Sequence, residues 1–87
     1  MMSAMSDLHN FLYNAARGIC DNQEQVKIEA TQNGQMVTLV IGCAKEDLRF
    51  VYSKLQHLKA ISIAIAQRNR AMVTVVVNDG DDYVESM

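Results

Sequence analysis

Apolar positions divide this chain into segments of different period. Leu8, Phe11, Leu12, Ala15, Ala16 and Ile19 recur at the three-and-four spacing of one helix face. Ser6 is placed to cap that helix and Asp7 falls in its first turn, so a helix is expected over roughly residues 6–20, ending near Gly18 or Asp21-Asn22. The period then changes to two. Val26, Ile28 and Ala30 alternate with Lys27, Glu29 and Thr31, and Asn33-Gly34 follows as a pair tolerant of positive φ. A two-residue turn at Asn33-Gly34 would set Ala30 opposite Val37, Ile28 opposite Leu39 and Val26 opposite Ile41. Glu29 would face Thr38 and Lys27 would face Val40 on the other side.

Beyond Gly42, Lys45-Glu46-Asp47 opens a second helical region, with Leu48, Val51, Tyr52 and Leu55 on one side and then Leu58, Ile61 and Ile65. A bent helix pair is the expected form. No glycine or proline separates the two sets, so one continuous helix from about 45 to 67 is the alternative. Residues 61–66 alternate as Ile61-Ser62-Ile63-Ala64-Ile65-Ala66, which a strand would also do; the 58/61/65 spacing and the alanines favour helix. Ala71-Met72-Val73-Thr74-Val75-Val76-Val77 is β-branched enough to be a strand, ended by Asn78-Asp79-Gly80.

Composition fits one small domain: 87 residues, 49% of them hydrophobic, can fill a single core. The expected division is a flexible start at 1–5, a domain over 6–79 and an acidic tail over 80–87. Met1-Met2-Ser3-Ala4-Met5 lacks the basic and apolar runs of a signal peptide, and no apolar stretch is long enough to span a bilayer. A cytoplasmic protein without a membrane partner is expected. Net charge is −2, but unevenly spread. Lys45, Arg49, Lys54, Lys59, Arg68 and Arg70 against Glu46 and Asp47 leave residues 45–70 at +4, whereas Asp79, Asp81, Asp82 and Glu85 make 79–87 −4.

Candidate chemistry is sparse. Cys20 and Cys43 have no zinc-type spacing and read as free thiols; His9 and His57 have no partner in the pattern of a dyad or metal site. Glu46-Asp47 and Asp81-Asp82 are adjacent pairs rather than facing carboxylates, and the four glycines are isolated, so no phosphate loop is present. No cofactor and no enzymatic activity are expected.

The segment Cys43 to Ile61 resembles the core of small bacterial single-KH proteins of the KhpA type, in which an acidic helix start, Val-Ile-Gly-Lys-x-Gly and Ala-Ile follow one another. Val51-Tyr52-Ser53-Lys54 stands where Val-Ile-Gly-Lys would be and Ala60-Ile61 where Ala-Ile would be, with both glycines replaced and the segment at least one residue shorter. Asp21-Asn22-Gln23-Glu24-Gln25-Val26 resembles the family's Asp-Asn-Pro-Glu-x-Val, and Ala44 with Glu46-Asp47 its Ala-Pro-Glu-Asp. The resemblance spans roughly residues 5–79 and implies an α+β, type II KH-like order α-β-β-α-α-β, a three-stranded sheet with helices on one face. Ribosome-binding factor A and the BolA family are similar in element order and also lack the glycine loop.

A KH domain clamps single-stranded nucleic acid with a Gly-x-x-Gly turn between two helices. The resemblance therefore implies RNA, single-stranded or structured, as partner, with backbone contacts along the helix pair from Lys45, Arg49, Ser53, Lys54, His57 and Lys59. The missing glycines carry the alternative: a KH-like fold that has lost RNA binding and serves protein association, as homodimer or with a larger KH-protein partner. Met36, Thr38 and Val40 on the outer face of the second strand favour that alternative.

Overall fold

The computed structural model describes residues 4–78; the expected acidic tail at 80–87 and the first three residues of the expected flexible start at 1–5 lie outside them, and Ala4 and Met5 already belong to the first helix. Helix α1 (Ala4–Ile19) buries Leu8, Leu12 and Ala16 along the stripe its sequence spaces. A 3₁₀ turn at Gln23–Gln25 leads to the hairpin of β1 (Lys27–Asn33) and β2 (Met36–Gly42). A second 3₁₀ turn, Lys45–Asp47, runs into α2 (Leu48–Arg68), and β3 (Met72–Asn78) closes the order. The result is α+β, a three-stranded mixed sheet with two helices. Strand order is β1-β2-β3, with β1 and β2 antiparallel and β2 and β3 parallel. A parallel neighbour needs a long crossover, and α2 provides it.

Alternation places the core. Val37, Leu39 and Ile41 of β2 are fully buried, with Ile28 of β1 and Val75 of β3 beside them. Leu8, Leu12 and Ala16 of α1, with Val51, Leu58 and Ala66 of α2, cover that face. The other sheet face carries Lys27, Glu29, Thr31, Thr38, Thr74 and Val76 without a covering layer among the described residues.

Two expectations need correction. The hairpin turn is Gly34-Gln35, not Asn33-Gly34, so Asn33 pairs with Met36, Ala30 with Leu39 and Ile28 with Ile41. Gly34 has φ 63, the positive value that a type II′ turn requires at its first central position. A slip of two residues returns each side chain to the same face, so hydrophobic alternation alone does not separate the two registers. Val26 is buried but precedes the strand.

The second correction concerns the helix pair. Residues 48–68 form one α-helix of 21 residues, and there is no corner at Ser53-Lys54-Leu55-Gln56. The order is α-β-β-α-β. Val51, Leu55, Leu58, Ser62, Ile65 and Ala66 are buried or half-buried in one unbroken stripe, and no residue in the segment favours a kink over that packing. The same stripe settles residues 61–66 as helix. The helix stops in a Schellman arrangement: Ala71 N–H donates to Ala66 O at 2.8 Å and Arg70 N–H to Gln67 O at 3.1 Å. Arg70, at φ 56, occupies the left-handed position where glycine is usual.

An uninterrupted helix predicts that restoring glycines is harmful. Ser53→Gly and Gln56→Gly should each lower stability by about 0.5–1 kcal/mol in urea unfolding; a corner would leave both changes neutral. Ser62 is fully buried, and its Oγ has no hydrogen-bond partner. Ser62→Ala should therefore raise stability by roughly 1 kcal/mol in the same assay.

Candidate interaction surfaces

Six residues carry the expected nucleic-acid contact, and the folded chain does not gather them. Lys45 lies on the 3₁₀ turn and Arg49 in the first turn of α2; both are exposed and, with Glu46, line a shallow depression of about 410 Å³. Arg49 also rests over the Phe50 ring, 4.9 Å from its centroid. Ser53, Lys54 and His57 are exposed and Lys59 is half-buried. At ~100° per residue, Lys54 is about 140° around the helix from Arg49, and Lys59 about 80° in the opposite sense. Lys45 and Arg49 share the depression, Ser53 and His57 continue from Arg49 at the helical spacing of four, and Lys54 and Lys59 fall to either side of that row. A spacing of five between Arg49, Lys54 and Lys59 spirals the charges around a continuous helix, whereas a break after residue 54 would have re-phased them.

The start of α2 is pinned by a buried carboxylate. Asp47 is 1% exposed, and its Oδ2 accepts the Asn22 N–H at 2.9 Å and the Asn22 side-chain amide at 3.1 Å. This bond joins the loop after α1 to the entrance of α2. The Asn22 backbone N–H holds the carboxyl below its ordinary range; burial opposes that shift, and the Asn22 side chain, the Asp21 backbone and the Arg49 charge reinforce it. Asp47 Oδ1 has no partner. Cys20 and Cys43 lie at the same corner as free thiols close enough to influence each other. Burial, with Cys43 and Asp47 adding to it, pushes the Cys20 thiol up to about 11, and burial also raises Cys43. Both thiols stay protonated at neutral pH, which makes them poor nucleophiles and poor metal ligands. Among the described residues no group of His, Cys, Asp and Glu is arranged to hold a metal ion.

A different surface emerges where β3 forms the open side of the sheet. Among the described residues, the exposed large apolar ones are Tyr52, Ile61, Ile63, Met72 and Val76. Met72 and Val76 belong to β3, at 58% and 42% exposure. Ile63 and Lys59 of α2, with Val73, Thr74 and Val75 of β3, line a groove of about 210 Å³ along the strand's free edge. Tyr52, Lys59 and Ile63 follow the helical spacing of seven and four, so Tyr52 lies on the same flank of α2. Met72 and Val76 on the open face and Tyr52 and Ile63 on the helix layer therefore stand on either side of β3. Sequence reasoning missed this surface because strand order, which makes β3 an edge, is not written in any local pattern. The available signal was a final strand with no charged residue between Met72 and Asn78.

No helix among the described residues is long and apolar enough to cross a membrane. No family model matches the chain, and neither the curated proteins nor the solved structures contain a match to it.

The lowered Asp47 carboxyl has a stability consequence with a definite sign. Its contribution is present above the unfolded-state pKa and is lost as pH falls through the lower folded-state value. Asp47→Asn should lower the urea midpoint at neutral pH and flatten its decline on acidification. Equal acid slopes for the two proteins would remove Asp47 as the pin.

Proposed function

We propose that this chain is a protein-association module on a KH-like scaffold, forming a homodimer or pairing with a larger KH-type protein. The observation that carries this reading is that β3 is an edge strand with exposed Met72 and Val76 on the open sheet face and exposed Tyr52 and Ile63 on the α2 flank. Exposed large apolar groups rimmed by polar residues mark contact surfaces when they are contiguous. The loss of the glycine corner agrees with it. A continuous α2 presents side chains where a KH clamp presents bare backbone, so a nucleic-acid strand finds neither the close approach nor a helix N-terminus at that point.

RNA contact is the second reading, and the exposed Lys45–Arg49 pair is its support. It would be shallow. Two phosphate contacts on a single strand give a slope of about −1.4 in log affinity against log salt. Sedimentation of the full chain should give a mass above 9.7 kDa or, in pull-down, a stable protein partner. A monomer that captures no protein, yet shifts labelled single-stranded RNA with that salt slope and loses the shift in Lys45→Ala/Arg49→Ala, would replace association with RNA binding.

A further inference from the structure

Both cysteines of the chain stand at the corner that Asp47 pins. We infer that this corner is an internal disulfide site, where Cys20 and Cys43 join on exchange with a small disulfide such as oxidised glutathione and tie the end of α1 to the end of β2. The site stands whether or not the chain associates.

Backbone geometry fixes the two walls of the site. Cys20 follows α1 directly, and its N–H donates to Ala16 O at 3.0 Å, so it continues the last helical turn. Cys43 follows β2 directly, and the next residue, Ala44, accepts the Asp47 N–H at 2.9 Å. The Asn22 bonds to Asp47, at 2.9 and 3.1 Å, hold the loop after Cys20 against the loop after Cys43. Cys20 is 4% exposed within the core, and Cys43 is half-buried against that same core. Burial is the main influence on both thiols, and after it each sulfur acts on the other, which places them within reach of one another.

Exposure orders the steps. Cys43, the less buried thiol, gives its proton to solvent, and its sulfur attacks one sulfur of the small disulfide, from which one thiolate leaves. Cys20 Sγ, losing its proton in turn, attacks Cys43 Sγ and expels the second small thiolate. The two cysteines give up two electrons and two protons, and the small disulfide ends as two thiols. Burial slows entry, because little thiolate is present at neutral pH. Burial also protects the product, since reduction has to expel Cys20 or Cys43 as a thiolate and both are poor leaving groups there. The site is a slow lock rather than a rapid sensor. Its closed loop contains the whole β1–β2 hairpin, so the cross-link removes freedom mainly from the unfolded chain.

The test equilibrates the unsubstituted full chain with mixtures of reduced and oxidised glutathione in mildly alkaline buffer, native or in urea, followed by acid quenching and mass spectrometry. The native chain should lose two hydrogens and yield a Cys20–Cys43 linked peptide on digestion. It should do so at a glutathione ratio about a hundredfold more reducing than the urea-unfolded chain requires. By the same thermodynamic cycle, urea melts of the oxidised chain should give an unfolding constant about a hundredfold smaller than the reduced chain gives. Cys20→Ala should stop at a glutathione adduct on Cys43, and Cys43→Ala should leave Cys20 unmodified while folded. An adduct on Cys20 in that second variant overturns the order of the steps. A native chain with no more preference for the disulfide than the unfolded one, a persistent glutathione adduct on the unsubstituted protein, or a chain-to-chain disulfide overturns the site itself.

Discussion

The unbroken apolar stripe of α2 is the constraint from which the other features follow. β2 and β3 are parallel, so the chain must return across the sheet between them, and the return is made by a single helix of 21 residues. At about 1.5 Å per residue that helix is roughly 31 Å long, more than enough to span strands of seven residues. Val51 near its start and Ala66 near its end are both buried, so the whole length is tied down. A corner in the middle would lift one end of the stripe from Leu39 and Val75. Burying one apolar side chain contributes about 1.5–3 kcal/mol, comparable to what a local kink preference would have to overcome.

That constraint decides which surfaces the molecule has left. With both helices on one face of the sheet, α2 presents to solvent a curved array of Arg49, Ser53, Gln56, Ala60 and Ala64, mixed in character and without a groove. Its flank towards β3 is different. There the helix stops short of covering the strand, and Tyr52, Lys59 and Ile63 overhang an edge whose peptide groups point outward.

Legibility in the sequence follows the range of the interaction. The α1 stripe, the faces of the hairpin and the strand at Met72 are written in local periods and can be read directly. The hairpin register is one step less legible, because an even slip preserves every face and only the conformation of Gly34 chooses between the two. The expected corner at Ser53-Lys54-Leu55-Gln56 came from likeness to a motif whose glycines this chain lacks; the residues themselves, without glycine or proline, are those of a continuous helix. Of the six expected contact residues, Arg49, Ser53 and His57 stay in one row because their spacing of four is helical, and Lys45 on the preceding turn adjoins Arg49. Lys54 and Lys59 part company because their spacing from Arg49 is not.

The two sheet edges differ in what they offer a neighbouring strand. β1 carries exposed Lys27 and Glu29 on its outer face, so a strand laid beside it meets charge. β3 has the opposite character: seven residues without a charge, Val73, Val75 and Val77 with outward peptide groups, and apolar side chains at its margins. Left open, such an edge pairs with whatever strand it meets, and head-to-tail growth has no natural end.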